Sequence, residues 1–185
     1  MKIGIIRIDK MGDMVLTLPI IKSIKTNNKV AQIDIFGSNL NVKILNNFKY
    51  LNRVINTNIE NLNKEKYDLI LNFSPGWKSF FICLFSNSAI KANIIFTSRY
   101  NNNILSKFLF RFLSKIFFHH TLIINRKKRF LSNKSIHQTK CMFELLKKCN
   151  ISYDNKVEIE KYLPIKKLLK SEKKICLIHL SSKWI

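Results

Sequence analysis

Apolar residues fall along the chain in short continuous runs, separated by stretches in which they recur every three or four positions. The runs Ile3–Ile8, Val30–Phe36, Arg53–Asn56, Asp68–Phe73, Ala89–Phe96 and Lys174–Leu180 predict six strands. The periodic stretches predict helices over 13–27, 39–48, 76–87, 101–118 and 136–149. Strands that are apolar without alternation are covered on both faces, and their alternation with helices predicts a parallel sheet: an α/β, Rossmann-like fold. Gly37-Ser38 and Pro75-Gly76 punctuate two strand ends. Pro19 falls inside the first helical stretch. It lacks an N–H and clashes with the carbonyl four residues back, so a kink or a restart is expected there, with Leu16, Ile20 and Ile24 keeping one stripe.

The alternating pattern fills residues 1–163, the predicted domain. Residues 164–174, rich in lysine after Leu163-Pro164, read as an inter-domain linker. A new apolar run opens at Ile175, so 175–185 are expected to be the first strand of a second, truncated domain. Residues 125–135 are a basic polar connection, and no internal repeat is visible.

A chain of 185 residues buries one sizeable core. No N-terminal stretch has the form of a signal peptide, and no apolar run reaches the roughly 18–20 residues of a membrane span, so a cytoplasmic location is expected. The net charge of +22 invites nucleic acid or an anionic membrane surface as partner. Lys, Asn, Ile and Phe are all over-used and all have A/T-rich codons, which supplies a blander cause. No nucleic-acid-binding motif accompanies the charge, so a dedicated nucleic-acid binder is not expected. The four cysteines (Cys83, Cys141, Cys149, Cys176) form no C-x-x-C pair and have no histidines at zinc spacing. They read as small buried apolar residues, with neither metal nor cofactor expected.

The candidate chemistry lies in the first turn of the fold. After Lys2–Ile6 comes Arg7-Ile-Asp-Lys-Met-Gly-Asp-Met-Val-Leu-Thr-Leu-Pro19, which reads as a buried strand, a tight turn at Gly12 and a helix opened by Asp13. That order sets a carboxylate at the C-terminal end of a parallel strand, where α/β folds build their sites. From its position Asp13 reads first as a helix N-cap and second as a general base. A base need only be correctly placed and ionised, as an aspartate is at neutral pH. Arg7 and Lys10 either contact an anionic ligand or stand as solvated surface charges. In Asn103–Phe118, an apolar row of Ile104, Phe108, Phe112 and Ile116 runs beside a basic row of Lys107, Arg111 and Lys115. This is either a membrane-facing amphipathic helix or an ordinary helix packed on the sheet with a solvated basic face. His119 and His120 read as surface or cap residues, and Trp77 and Trp184 as loop packing.

The Arg7–Pro19 run resembles the N-terminus of glycosyltransferase family 9, the heptosyltransferases of lipopolysaccharide core synthesis, which open with a similar Arg-x-Asp-x-x-Gly-Asp-x-x-Leu-Thr-x-Pro pattern. Lys66–Leu71 is similar to the family's Tyr-Asp-Leu strand, and the region from Ser74 to Ser88 to its next loop and helix. The stretch from Ile136-His137-Gln138-Thr139 to Lys148-Cys149-Asn150-Ile151 is similar to its His-containing helix. Asn150 there replaces a glycine, and Asn tolerates the left-handed conformation of a helix end. His179–Trp184 resembles the opening of the donor-binding domain. The resemblance implies the N-terminal half of a GT-B fold, two Rossmann-like domains with transfer, by inversion, in the cleft between them. It implies a nucleotide-sugar donor (ADP-heptose), no metal, and a lipid-anchored anionic glycan acceptor. Asp13 would be the general base, Arg7, Lys10 and Gly12 would lie on the acceptor side, and Ser181, Ser182 and Lys183 would face the donor phosphates. Such an acceptor suits the interfacial reading of Lys107, Arg111 and Lys115. Since the chain corresponds to the first half of a family member, it is expected to be inactive alone. The alternative is a non-catalytic basic module on the same scaffold, binding anionic lipid or nucleic acid.

Overall fold

In the computed structural model the chain is described over residues 1–45, 48–57, 65–97, 104–125 and 137–154, with backbone alone at 43–44 and 104–107. The predicted linker 164–174, the strand 175–185 with Ser181, Ser182 and Lys183, and Cys176 and Trp184 lie outside the described residues. In chain order the elements are β1 (Lys2–Arg7), α1 (Met11–Val15), α2 (Leu18–Asn27), β2 (Gln32–Gly37), α3 (Asn39–Leu45), β3 (Arg53–Asn56), β4 (Tyr67–Asn72), α4 (Trp77–Phe85), β5 (Ser88–Phe96), α5 (Ile104–Phe117), β6 (His120–Ile124) and α6 (Gln138–Lys148).

The strands form one six-stranded sheet in the order β3-β2-β1-β4-β5-β6. Every pairing is parallel, with Ile5 of β1 opposite Ile35 of β2 and Leu71 of β4. This is the Rossmann-like α/β sheet expected from the strand pattern. Strand order reverses between β1 and β4, the switch point at which such sheets open a crevice beyond their strand ends.

Both faces are packed. On one, Ile3, Ile5, Ile33, Ile35, Leu71 and Ile94 meet Met14 of α1, Leu18, Ile21 and Ile24 of α2, and Met142 and Leu145 of α6. On the other, Ile6, Phe36, Ile70 and Ile95 meet Phe80 and Cys83 of α4 and Phe110 of α5. Gly4 belongs to this second face because a Cβ there would lie 2.5 Å from Ile70 Cδ1 and 3.1 Å from the Phe36 ring.

The restart expected near Pro19 is present: the stretch 13–27 is two helices, Leu16 and Thr17 form a turn, and Pro19 stands in the first turn of α2, where its missing N–H costs nothing. Three details differ from the expectations. Helix α1 opens at Met11, two residues before Asp13, with Lys10 as an N-cap that makes no side-chain bond. Gly12 therefore lies inside α1 and not in a tight turn, and no glycine takes a positive φ. Strand β6 was not expected at all: it follows His119, whose N–H donates to Lys91 O at 3.0 Å and whose Nδ1 accepts from Lys91 N at 3.2 Å.

Helix α6 ends as its Asn predicted. Asn150 has φ 55, the Ile151 N–H reaches back to Leu146 O at 3.1 Å, and the Asn150 N–H reaches Lys147 O at 3.1 Å. This paired closure satisfies two carbonyls that the helix end would otherwise leave open.

Away from the switch point, Asp34 of β2 is buried and accepts from Arg53 Nη2 at 2.6 Å and from the Tyr67 hydroxyl at 2.9 Å. Arg53 also pairs with Glu65, as does Lys2. Burial, then the bond to Asp34, pushes the Tyr67 phenol well above its usual range. The network ties β1 to β4 together at the end opposite the crevice.

Candidate active site at the sheet switch point

Arg7 is the last residue of β1, and its side chain is fully buried. A guanidinium never loses its proton, so its burial demands acceptors on all sides. Nη1 donates to Phe73 O, just past the end of β4, and lies 3.5 Å from Asp9 Oδ2. Nε donates to the Asp13 carbonyl at 3.1 Å, and Nη2 lies 3.3 Å from Asp13 Oδ1. One buried cation thus joins the end of β1, the loop after β4 and the first turn of α1.

The surrounding loops are tied to the same point. Asn41 of α3 is buried and donates to the carbonyls of Arg7 at 3.0 Å and Asp9 at 2.9 Å. The Ile8 N–H donates to Ser74 Oγ at 2.8 Å, and the Ser74 N–H donates to Asn72 Oδ1 at 3.1 Å. Thr17 Oγ1 donates to the Asp13 carbonyl at 2.9 Å, bracing the turn between α1 and α2.

Asp13 sits where these ties converge. Its side chain is 24% exposed, so it opens to solvent while its backbone is fixed. Gln138, the first residue of α6, completes the setting. With its amide turned to satisfy both neighbours, it donates to Asp13 Oδ1 at 3.1 Å and accepts from Arg7 Nη2 at 2.5 Å. His137 is the N-cap of α6, its Nδ1 accepting from the Thr139 N–H. Oδ1 of Asp13 is therefore held by Arg7 and Gln138, and no hydrogen bond to Oδ2 is seen among the described residues. The arrangement presents a fixed, partly exposed carboxylate to whatever enters the crevice.

Of the residues singled out in the sequence, Arg7 and Asp13 come together. Arg7 does so in an unexpected way: it is neither a surface charge nor exposed to an acceptor, but is turned inward onto Asp13. Lys10 is exposed at the rim, and Gly12 is exposed within α1. A Cβ on Gly12 would meet nothing within 4 Å. On α5, Lys115 is exposed and Arg111 half-buried, and the Lys107 side chain lies outside the description. Sequence reasoning missed Gln138, Asn41 and the Phe73 carbonyl as parts of the site. The short Arg-x-Asp spacing marked Arg7, but no local signal links Gln138 to Asp13. Among the described residues, no three metal-ligating side chains converge. Two open hollows, of about 490 Å³ beside Met1 and Val30 and about 310 Å³ beside Phe48 and Val54, lie apart from Asp13.

No family model matches the sequence, and no curated protein is significantly similar to it. The fold does have solved counterparts. Escherichia coli heptosyltransferase WaaC with ADP superposes at TM-score 0.62 and 16% identity, covering 84% of this chain and 50% of that one. The same enzyme with ADP-2-deoxy-2-fluoro heptose gives 0.64 and 16%, covering 88% and 53%. A family 9 glycosyl transferase from Veillonella parvula gives 0.61 and 14%, covering 82% and 42%. The chain spans about half the length of these structures. At such identities the likeness establishes the fold, and at that level the resemblance to glycosyltransferase family 9 holds.

Proposed function

We propose that the chain is the acceptor-side domain of a heptosyltransferase-type glycosyltransferase, with Asp13 as its general base. The observation that carries this is the carboxylate at the switch point, fixed through Oδ1 by Arg7 and Gln138 and partly exposed to solvent. In the proposed step Oδ2 of Asp13 takes the proton of an acceptor hydroxyl as its oxygen bonds to the anomeric carbon of the donor sugar. The bond from that carbon to the nucleotide diphosphate breaks on the opposite face, with inversion, and the diphosphate leaves with the electron pair. Arg7 does not touch substrate; it fixes the carboxylate. Lys10, at the rim, is the cation available to an anionic acceptor.

The solved counterparts hold ADP or an ADP-heptose analogue, which supports an ADP-sugar donor. Ser181, Ser182 and Lys183 are proposed to meet its phosphates. The proposed acceptor is a lipid-anchored anionic glycan of lipopolysaccharide core assembly at the cytoplasmic face of the membrane. A donor clamp from a second domain is needed to bring the reacting atoms together, so the 185-residue chain alone is proposed to be inactive.

The test is Asp13→Asn in the native gene product, assayed with an ADP-sugar donor and a core acceptor. Loss of a general base lowers kcat by about 10²–10⁴. Transfer within a factor of about three of wild type, with folding intact, would sink the assignment. Transfer by the isolated 185-residue chain would sink the claim of inactivity.

A further inference from the structure

We infer that the outer face of α4 and α5 is a docking surface for an anionic lipid bilayer. The inference stands apart from the transfer reading, because it uses neither Asp13 nor the switch point.

Helix α5 is apolar on both sides. Phe110 and Ser114 face inward, and the Phe110 ring packs 4.6 Å from Phe80 of α4. At 100° per residue the positions opposite them are Phe108, Phe112 and Ile116. An ordinary surface helix carries charges there. These three instead hold their side chains 68%, 52% and 57% exposed, with the Phe108 and Phe112 rings stacked at 6.3 Å. Leu109 and Phe117 widen the stripe, and Lys115 is the charged residue among the exposed positions of 108–117. Helix α4 adds Phe81 and Phe85, both exposed. Ring contacts run from Phe85 to Phe81 at 6.3 Å, on to Trp77 at 5.7 Å and across to Phe110 of α5 at 4.6 Å. The buried Phe110 thus ties the two helices together, and each carries exposed aromatic side chains.

Charge selects its occupant. Between Asp68 and Glu144 the sequence holds 12 lysines and arginines and no carboxylate side chain. That stretch contains α4, β5, α5 and β6 entire. Arg111 and Lys115 line one flank of the apolar stripe, the pattern of a helix lying in an anionic interface with aromatic rings at headgroup depth. A second copy of the chain fits poorly, since a two-fold contact would set these cations against each other with no carboxylate to meet them. With 14 residues α5 is about 21 Å long. No helix among the described residues is long and apolar enough to cross a membrane, so the contact lies on the bilayer.

The experiment is co-sedimentation of the full chain with vesicles of phosphatidylglycerol and phosphatidylcholine, and with phosphatidylcholine alone. Wild type is compared with Phe108→Ser/Phe112→Ser/Ile116→Ser, whose net charge is unchanged, and with Arg111→Gln/Lys115→Gln. Wild type should bind anionic vesicles at least about tenfold more tightly than neutral ones. The serine variant should lose at least about tenfold with an unaltered melting temperature, and the glutamine variant about threefold or more. Equal binding by wild type and the serine variant would leave only unspecific polycation adsorption and overturn the inference. A dimer that the serine variant makes monomeric would overturn it in favour of a second copy. Finally, the indole of Phe112→Trp, introduced into a Trp77→Phe/Trp184→Phe background, should emit as solvent-exposed in buffer and shift to the blue on anionic vesicles. Blue-shifted emission already in buffer would mean the chain covers this face itself, and would also overturn it.

Discussion

The buried guanidinium of Arg7 offers the most direct test of the site's architecture. Arg7→Met keeps much of the stem's volume and removes the charged fork. It leaves the Phe73 carbonyl without its donor and the carboxylates of Asp9 and Asp13 without their cation. Breaking a buried ion pair from one side costs about 3–5 kcal/mol. Here the two carboxylates keep 15% and 24% exposure, so water takes up part of the loss. The lower end, about 3 kcal/mol, is therefore expected. For a domain of this size each kcal/mol moves Tm by about 2–4 °C, giving a fall of roughly 6–12 °C. Arg7→Lys keeps the charge, but one ammonium cannot meet a carbonyl and two carboxylates in the directions a guanidinium does, and about half the loss is expected. Thermal unfolding followed by far-UV circular dichroism at neutral pH reads both. An Arg7→Met protein melting within about 2 °C of wild type would refute the claim that this cation locks the end of β1 to the loop after β4.

Two further outcomes follow from single groups. Asn150→Val should destabilise by about 1–2 kcal/mol, because a β-branched residue resists φ 55, while Asn150→Gly should be neutral or slightly stabilising; urea midpoints of the two variants decide it. Burial pushes the Cys149 thiol up from 9.0 to about 12, and Cys83 shifts the same way. In the unfolded chain these thiols ionise from about pH 9, so above it the folded form holds more protons and stability falls as pH rises. A urea midpoint level between about pH 7 and 8.5 and dropping by pH 10.5 is expected, and a midpoint unchanged at pH 10.5 would contradict it.

The parallel sheet was legible because strands covered on both faces cannot alternate polar with apolar, and β1, β2, β4 and β5 read as nearly unbroken runs. Strand β6 was not, since it has five residues, begins on a histidine and lies beside the masking pattern of a long helix. The start of α1 was misread for a definite reason. Gly-Asp before an apolar stripe has the form of a capped helix start, yet here the helix opens two residues earlier with no side-chain cap. Asp13 itself could be picked out, because a carboxylate after a buried strand is a local feature. The inward turn of Arg7 and the arrival of Gln138 could not. Both depend on which distant segments the sheet order brings to the end of β1, namely Phe73 after β4 and the start of α6.

The charge distribution carries a distinction that composition alone conceals. A codon bias toward lysine and asparagine raises the number of cations, but it does not decide where carboxylates remain. Each described carboxylate up to Asp68 is paired: Asp9 and Asp13 with Arg7, Asp34 with Arg53, Glu65 with Lys2 and Arg53, and Asp68 with the N-terminus. These anions either neutralise a cation that folding carries into the sheet or stand at the switch point. In the stretch that builds α4 and α5 no such cation is buried by an acidic partner, and no acidic residue is present. The net charge of +22 is thus unevenly spread, at +5 over residues 1–68, +12 over 69–143 and +5 over 144–185. Screening should act on them unequally. Added salt ought to weaken vesicle binding through Lys115 and the half-buried Arg111 of α5 while leaving the Arg7 contacts, which are out of reach of mobile ions, nearly unchanged.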